Sequence, residues 1–380
     1  MGKRFGKRAA LLLWFLEGLS AIYRAIVQFR LWLYRKRIMR ERQLGCLVIS
    51  IGNLTVGGTG KTPVVEKFAR ALQSGGRRVA ILSRGYKSKK PPFLKRLVNR
   101  FGSEQEFVPR IVHDGKELLL DSQVAGDEPF MLASNLKDVI VLVDRDRVKS
   151  GLYAIEKMGC DTLLLDDGLQ YLRLKHRLDV VLVDCQAPFG TEYLLPRGTL
   201  REPPPNLRRA SYIFITKCVP GVPNTGLIER IRTYNRTAEI IECTHMPQYL
   251  QHVYTGERQP LDFLKGRHVG ALSAIAQPDS FEDALRKLGA KIEVSRHFAD
   301  HHRFSAKEIA GFVRRCANRD LDAILTTEKD CVRFPLLKNL DLPIYYLRVE
   351  IEILTGHESW QHLVDRICQP QPMMAPERFF

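Results

Sequence analysis

The first apolar stretch of the chain predicts a long amphipathic helix. From Ala9 to Tyr34 there is no proline, and the main polar positions recur at intervals of three, four, four and seven residues: Glu17, Ser20, Arg24, Gln28 and Arg35. At about 100° of rotation per residue, these positions fall on one narrow stripe and leave a wide apolar face. Arg30 alone interrupts that face. Such a helix is typical of attachment at a membrane interface.

The next part of the chain alternates short apolar runs with helix-length segments, which predicts a parallel sheet covered on both faces. The apolar runs are CLVISIGN, VAILSRGY, VIVLVD, TLLLDD and DVVLVD. The last three end in acids, at Asp144, at Asp166 and Asp167, and at Asp184. Because ligands of such sheets bind beyond the carboxyl ends of the strands, these acids are expected beside a bound ligand.

A glycine-rich turn, Leu54–Pro63, joins the first strand to a predicted helix that ends at Gly75. This is the context that a phosphate-binding loop requires. Backbone N–H groups of the turn would contact phosphate oxygens, Lys61 would reach the β- and γ-phosphates, and the Thr62 hydroxyl would ligate Mg²⁺. The general motif has a glycine where this chain has Thr55. The predicted ATP-binding residues of the loop are Thr55, Gly57, Gly58, Thr59, Gly60, Lys61 and Thr62.

Asp166 and Asp167 are the best candidates for holding a metal ion together with Thr62. They are adjacent carboxylates that follow a purely apolar strand and precede a glycine. Carboxylates are ligands that Mg²⁺ prefers. A single acid at a strand end can also cap the next helix, and for Asp144 and Asp184 both interpretations stay open.

Length and composition fit a globular protein of two domains. The chain has 380 residues, of which 45% are hydrophobic and 27% charged, and this excludes wholesale disorder. There is no run of about 18 uncharged apolar residues, which excludes a polytopic membrane protein. The eight cysteines include no C-x-x-C pair, so neither a zinc ribbon nor a disulfide framework is predicted, and a reducing compartment is expected.

The net charge of +17 is concentrated at the amino-terminal end, because residues 1–42 contain eleven basic and two acidic side chains. This distribution favours contact with an anionic membrane surface. A signal peptide is disfavoured because Glu17 interrupts the apolar run and no cleavage site follows. A spanning helix would place Glu17 and Arg24 at mid-bilayer, which is costly. Packing of the helix on its own domain is the remaining alternative.

A second basic segment, Arg84–Arg100, contains seven basic residues and no acid, with apolar residues interleaved. It is interpreted as a membrane-facing element, a phosphate-steering surface or a solvated loop. Nucleic-acid binding is not expected, because the basic residues accompany apolar clusters suited to lipid and no nucleic-acid module signature is present. No obligate protein partner is evident.

Over nearly its whole length the chain resembles the tetraacyldisaccharide 4′-kinases, which phosphorylate the lipid A disaccharide precursor at the inner membrane of Gram-negative bacteria. Thr55 is usual in that family. The motifs that carry the resemblance are GNLTVGGTGKTP (Gly52–Pro63), LSRGY (Leu82–Tyr86), GDEP (Gly126–Pro129), DDGLQ (Asp166–Gln170), LPRGTLREP (Leu195–Pro203), ALSAIAQPDSF (Ala271–Phe281), FADHHRFS (Phe298–Ser305) and LTTEKD (Leu325–Asp330).

The resemblance implies roles for individual residues. Asp127 matches the carboxylate base for the sugar 4′-hydroxyl, and His301 matches the imidazole that pairs with it. Together with Lys61 they form the implied catalytic set. A carboxylate can accept the proton of a poorly nucleophilic hydroxyl while the bond to phosphorus forms. The other implied site residues are the metal-associated Asp166 and Asp167, Gln170 beside them, and the Arg201–Glu202 pair near nucleotide and substrate.

From the residues alone these assignments are less specific. Asp127 is as readily a turn or N-cap residue, and nothing in the sequence places it next to His301. Where the family usually has His after DDGLQ, this chain has Tyr171, which can still hydrogen-bond a sugar or a phosphate. The stretch 87–124 is longer than is usual in the family.

The predicted fold is α/β: a P-loop parallel-sheet domain with an amino-terminal membrane-associated helix and a second, smaller α/β domain. The predicted bounds are 1–42 for the membrane helix, 43–245 for the P-loop kinase domain, 246–260 for the connection and 261–380 for the carboxyl-terminal domain. Contact between Asp127 and His301 would require the two domains to close over the substrate.

The predicted function is an ATP- and Mg²⁺-dependent kinase that phosphorylates an acylated disaccharide 1-phosphate at the cytoplasmic face of the inner membrane. The alternative is a membrane-associated regulatory ATPase of the deviant P-loop type. That class has a signature lysine where this chain has Val56, which argues against it. A GTPase is disfavoured because no NKxD motif is present. A basic membrane-binding scaffold with a degenerate nucleotide site is a third alternative, which the intact Lys61 and Thr62 weaken.

Overall fold

The computed structural model of the protein describes residues 7–85 and 108–369. Most of the segment 84–100 therefore lies outside the described residues. The strands are β1 (Leu47–Asn53), β2 (Val79–Ser83), β3 (Arg110–Asp114), β4 (Ile140–Val143), β5 (Thr162–Asp166), β6 (Leu178–Asp184), β7 (Tyr212–Thr216), β8 (Glu239–His252), β9 (Arg258–Gln259), β10 (His268–Ser273), β11 (Lys291–His297), β12 (Ala323–Thr327) and β13 (Ile344–Thr355).

The helices cover both faces of the sheet. They are α1 (Lys7–Arg35), α2 (Lys61–Ser74), α3 (Ser122–Ala125), α4 (Asp127–Asn135), α5 (Arg147–Glu156), α6 (Thr225–Tyr234), α7 (Pro278–Lys287), α8 (Ala306–Ala317), α9 (Glu328–Cys331) and α10 (His357–Cys368). Short 3₁₀ helices span Pro204–Arg209 and Leu261–Leu264.

The described strands form one continuous, mostly parallel sheet in the order β11-β10-β12-β13-β8-β7-β6-β1-β5-β2-β4-β3, with β9 paired to β8. Each of the five predicted apolar runs is a strand, and β1 lies between β5 and β6. The carboxyl ends of β1, β5 and β6 therefore meet at one edge, where the glycine-rich turn and the acids follow.

A long antiparallel pair, β8 with β13, joins the two parallel regions of the sheet. Pro247 lies inside β8 opposite Val349, where the register is irregular, because proline has no N–H to donate to the ladder. The predicted connection 246–260 contains the second half of β8 and all of β9. The division into domains at these positions stays a prediction.

Alternate residues of the central strands pack on opposite faces of the sheet. Ile49 and Ile51 of β1 belong to the apolar cluster that contains Phe68 of α2. Val48 belongs to the cluster on the other face, with Val148 of α5. Burial of apolar surface on both faces holds β1 rigidly, so the turn that follows it is anchored at its start.

Helix α1 contacts the rest of the protein along the face that contains Ser20, Tyr23 and Gln28. The Ser20 hydroxyl donates to the Leu194 carbonyl (2.9 Å), the Tyr23 hydroxyl to the Arg201 carbonyl (3.1 Å), and the Gln28 amide to Asn206 Oδ1 (3.1 Å). Arg197 forms an ion pair with Glu17. The opposite face exposes large apolar side chains, among them Leu11, Trp14, Phe15, Ile22, Ile26 and Phe29.

Candidate active site

The turn between β1 and α2 has the geometry of a phosphate-binding loop. Gly57 and Gly60 have φ angles of 118° and 76°, which other residues rarely adopt. A Cβ atom at Gly60 would come within 2.6 Å of the His245 ring, so only glycine fits there. At Gly57 and Gly58 a Cβ atom would meet nothing within 4 Å, so the loop is open to a ligand. Helix α2 begins directly at Lys61, and its amino-terminal N–H groups face the same loop.

Asn53, the last residue of β1, holds two cations at the loop. Its Oδ1 atom accepts hydrogen bonds from Lys61 Nζ (3.3 Å) and from Arg201 Nη2 (2.6 Å), while its Nδ2 donates to Thr55 Oγ1 (3.2 Å). Asn53 is fully buried. The sequence analysis did not select it, although a polar residue at the end of an otherwise apolar strand was a usable signal.

Asp167 lies next to two cations. Its carboxylate accepts two hydrogen bonds from Arg201 (2.8 and 2.9 Å), and Lys61 Nζ lies 3.7 Å away. Burial acts to raise the pKa of Asp167, but Lys61 and Arg201 outweigh it and hold that pKa below its ordinary value. Asp167 is therefore ionised, and it keeps both cations at the nucleotide loop.

Asp166 is buried with one carboxylate oxygen unsatisfied. Its Oδ2 accepts from the Ser83 hydroxyl (3.0 Å), whereas Oδ1 has no hydrogen-bond partner in the described part of the chain. Burial, reinforced by Glu128 and Asp167, raises the pKa of Asp166 to about 6. A buried carboxylate without a compensating cation is unfavourable, so this oxygen fits a metal ion.

The residues present fit Mg²⁺ as it binds in nucleotide sites. Mg²⁺ usually takes one or two protein carboxylates and completes its shell with waters and phosphate oxygens. No group of three or more His, Cys, Asp or Glu side chains able to hold a metal occurs in residues 7–85 and 108–369. The Thr62 hydroxyl is at the first turn of α2, on the loop that Asp166 adjoins.

Substitution of Asp166 by asparagine is expected to stabilise the ligand-free fold while abolishing turnover. The pKa of Asp166 is about 6 in the folded state, against an ordinary value of 3.8. Between these two pH values the folded state binds more protons than the unfolded state, so the free energy of unfolding falls as the pH rises from 3.8 to about 6. At pH 7.5 the variant should therefore melt a few degrees higher, and this gain should shrink below pH 6. Thermal scans of the wild type and the variant at pH 7.5 and below pH 6 measure these two differences in Tm. Mg²⁺-ATP should raise the Tm of the wild type only. A lower Tm in Asp166→Asn at pH 7.5 would contradict this account.

Gln170, Arg201 and Glu202 form one network behind the loop. Gln170 Nε2 donates to the Asn53 carbonyl and to Glu202 Oε1, both at 3.1 Å, and Gln170 Oε1 accepts from Arg201 (3.3 Å). Glu202 is buried and accepts two hydrogen bonds from Arg209 (2.7 and 2.8 Å). Arg201 therefore faces the site, whereas Glu202 lies behind it and holds Gln170.

Asp127 and His301, 174 residues apart, are in contact: His301 Nδ1 lies 3.1 Å from Asp127 Oδ2. Asp127 is the first residue of α4, and His301 is in a turn beyond β11 with a φ of 68°. The predicted closure of the two domains over the substrate stays a prediction. Glu128, next to Asp127, contributes to the raised pKa of Asp166, so the pair adjoins the nucleotide site.

Two arginines that the sequence analysis did not select also bind Asp127. Arg333 Nε donates to Asp127 Oδ2 (2.9 Å) and Arg303 Nη2 to Oδ1 (3.2 Å). Burial acts to raise the pKa of Asp127, but His301, Arg333 and Arg303 outweigh it and hold that pKa below its ordinary value. Asp127 is therefore a carboxylate at neutral pH, able to accept a proton.

The remaining acids and Tyr171 have local structural partners. Asp144 and Asp184 each accept a hydrogen bond from a backbone N–H two residues later, which closes a local turn, and the residue that caps α5 is Asp146. The Tyr171 hydroxyl donates to Asp146 Oδ1 (3.1 Å) and accepts from the Arg147 backbone N–H (3.0 Å). These contacts place Tyr171 against the start of α5.

The parallel sheet, the loop after β1 and the paired acids define a P-loop nucleotide-binding protein. A family model described as Tetraacyldisaccharide-1-P 4′-kinase matches residues 12–369, and the chain belongs to this family. It is 37% identical over 360 residues to the Tetraacyldisaccharide 4′-kinase of Syntrophus aciditrophicus (strain SB), with 92% of this chain and 91% of that protein covered. To the enzyme of the same name from Anaeromyxobacter dehalogenans (strain 2CP-C) it is 38% identical over 342 residues, with 89% and 86% covered.

A solved structure is also similar along almost the whole chain. The crystal structure of LpxK from Aquifex aeolicus in complex with ATP has a TM-score of 0.71 and 29% sequence identity, covering 94% of this chain and 99% of that one. These findings confirm the predicted family, the P-loop fold and the class of enzyme, an ATP- and Mg²⁺-dependent phosphotransferase of lipid A biosynthesis. The regulatory ATPase alternative is not favoured.

Proposed function

We propose that the protein transfers the γ-phosphoryl group of ATP to the 4′-hydroxyl of a tetraacylated glucosamine disaccharide 1-phosphate, with Asp127 as the base. The observation that carries this proposal is the contact of Asp127 with His301 beside the acids of the nucleotide loop. A carboxylate in contact with an imidazole can activate an alcohol as a general base, and ATP hydrolysis coupled to a conformational cycle does not need such a pair.

The nucleotide loop binds and orients the triphosphate. Backbone N–H groups from Gly57 to Gly60 and the start of α2 contact the phosphate oxygens, and Lys61 neutralises charge on the transferred group. Thr62, Asp166 and Asp167 are proposed to hold Mg²⁺, which when bound supplies charge neutralisation at the β- and γ-phosphates. Arg201 keeps Asp167 in place, and Gln170 and Glu202 hold Arg201 and Asn53.

Asp127 accepts the proton of the acceptor hydroxyl as that oxygen bonds to phosphorus. A general base of this kind contributes about 10²- to 10⁴-fold to the rate. His301 orients the carboxylate through Oδ2 and is the nearest group to which the proton can pass. Burial of both side chains limits the access of competing water.

The acceptor dependence of ADP formation separates the proposed kinase from an uncoupled ATPase. In mixed micelles with Mg²⁺-ATP, ADP is expected to form only with the acylated disaccharide 1-phosphate present, one ADP per lipid phosphorylated. ADP formation at the same rate without lipid would contradict the proposal. The same micelles with a disaccharide lacking the 4′-hydroxyl are the matched control.

We propose further that α1 lies in the membrane interface at the cytoplasmic face of the inner membrane, where this glycolipid is the substrate. Among the residues that the structure describes, one helix segment, Leu11–Arg35, is long and apolar enough to cross a membrane. Glu17, Ser20, Tyr23 and Gln28 bind the rest of the protein, however, so this part of the helix is held against the enzyme. The exposed apolar face then enters the acyl boundary, and flanking basic residues contact anionic headgroups.

Point substitutions on the apolar face are expected to release the protein from membranes without unfolding it. Trp14 and Ile22 are 79% and 58% exposed, so Trp14→Glu with Ile22→Glu should weaken binding to phosphatidylglycerol-containing vesicles by about 10²-fold or more. Leu336→Glu, at a 95% exposed residue elsewhere, is the matched control. Deletion of residues 1–38 should also release the protein, but it removes the contacts of Ser20 and Tyr23 as well. Unchanged vesicle sedimentation of the double variant would contradict the interfacial assignment.

A further inference from the structure

Arg333 is a fully buried arginine whose guanidinium contacts both Asp127, the proposed base, and His301. Its Nε atom donates to Asp127 Oδ2 at 2.9 Å, and its Nη2 atom lies 3.2 Å from His301 Nδ1. Burial of a guanidinium is costly unless its donors are satisfied by well-placed acceptors. The position of this group therefore needs an explanation beyond packing.

The opposite side of the guanidinium is fixed to the carboxyl-terminal part of the sheet. Arg333 Nη1 donates to Asp330 Oδ1 (3.1 Å) and to the Ala274 carbonyl (3.3 Å). Asp330 is itself buried, and its other oxygen accepts from the Thr327 hydroxyl (2.7 Å) and the Ala274 N–H (3.0 Å). The guanidinium has a rigid support, so it can set the position of Asp127 on α4.

The contact with His301 has a consequence for protonation. His301 Nδ1 lies 3.1 Å from Asp127 Oδ2 and 3.2 Å from Arg333 Nη2, and a ring nitrogen either donates or accepts. When Nδ1 carries a proton it donates to the ionised Asp127, and without that proton it accepts from Arg333. In both forms Arg333 Nε donates to Asp127 Oδ2 and stabilises the ionised carboxylate. The ionised carboxylate is the form that can accept the proton of a sugar hydroxyl.

We propose that Arg333 is a positioning residue that holds Asp127 beside His301 in its proton-accepting form. This inference rests on the proposed role of Asp127 as the base. Arg333 also links distant parts of the chain, because Asp127 is on α4 whereas Arg333 follows α9. The other charged groups around the pair are Arg303 at Asp127 Oδ1, Glu128, Asp300 near His301 Nε2 (3.8 Å) and Lys329 near Asp300 (3.6 Å).

Arg333→Met removes the donors and the charge. Loss of a buried cation raises the pKa of the Asp127 carboxylate, so the acid limb of the pH profile of kcat/KM for the lipid acceptor should move up by about one to three pH units. At neutral pH we expect kcat to fall about tenfold or more, with the KM for ATP unchanged. An acid limb at the wild-type position would overturn the proposal.

Arg333→Lys keeps the positive charge and a cation for Asp330. It therefore tests the simultaneous contact with Asp127 and His301 separately from the charge. A lysine ammonium lacks the planar fork that reaches Asp127 and His301 together. The acid limb should stay near that of the wild type while kcat falls about tenfold. A kcat equal to that of the wild type would overturn the proposal.

Arg348→Lys is the matched control, because Arg348 is another buried arginine that binds three glutamates, Glu66, Glu328 and Glu350, away from the base. It should lower the Tm and leave the acid limb in place. A shift of the acid limb in Arg348→Lys as large as that in Arg333→Met would overturn the specific role of Arg333. Failure of the proposed function is distinguishable, since it would show as absence of lipid phosphorylation in the wild type.

Discussion

Lys61→Ala is expected to lower kcat for phosphoryl transfer by about 10²- to 10³-fold or more, as removal of one preorganised donor does in other enzymes. The Lys61 side chain is largely buried and is held by Asn53 Oδ1 at 3.3 Å and by Asp167 at 3.7 Å, so its ammonium group is fixed before the nucleotide binds. Its charge offsets the negative charge of the transferred phosphoryl group. Steady-state transfer to the lipid acceptor at saturating Mg²⁺-ATP measures the effect.

Lys67→Ala is the matched control for this experiment. Lys67 is on the same helix, α2, but its ammonium group donates to the Ile351 carbonyl (3.1 Å) and lies 5.7 Å from the Trp360 ring. We expect its kcat to equal that of the wild type. If Lys61→Ala retained the wild-type kcat, the loop would not bind the transferred phosphate and the nucleotide site would lie elsewhere.

Asp127→Asn is expected to lower kcat by about 10²- to 10⁴-fold without changing the affinity for ATP. Asparagine has nearly the same shape and keeps one oxygen that can accept from Arg303 or Arg333, but it cannot take the proton of the acceptor hydroxyl. The loss should therefore be in kcat and not in the binding of either substrate. Single-turnover transfer, with ATP binding measured separately, distinguishes these quantities.

Asp121→Asn is the control for a structural effect in the same segment. Asp121 caps α3 by accepting from the backbone N–H groups of Gln123 and Val124, and it is six residues before Asp127. Its substitution should change stability slightly and leave kcat unchanged. Full activity in Asp127→Asn would remove the base assignment, whereas the kinase class, which rests on the family, would stand.

The nucleotide loop was predictable from the sequence because all its signals are local. Hydrophobic periodicity gives the strand and the helix on either side, and the glycines mark the turn. The residues that complete it were not predictable in the same way. Asn53 stands out only as a polar residue at the end of an apolar strand, and no pattern shows that it binds Lys61 and Arg201. Arg201 lies in a proline-rich loop whose direction depends on the helix packed over it.

The contact between Asp127 and His301 shows what local sequence patterns cannot predict. Asp127 and His301 meet because β8 and β13 join the two parallel regions into one sheet, and no residue near either side chain encodes that pairing. Arg333 follows a four-residue helix and reads as an exposed turn residue, yet it is buried through contacts from both regions. For α1 the periodicity predicted the helix and its apolar face, but it did not show which side chains bind the rest of the protein.

Transfer of label from γ-labelled ATP to purified acylated disaccharide 1-phosphate, with the intact protein in mixed micelles, tests the central claim most directly. We predict a magnesium-dependent labelled lipid that carries one added phosphate on the 4′-oxygen. A lipid that stays unlabelled while the folded protein binds ATP, or a label on any other oxygen, would contradict it.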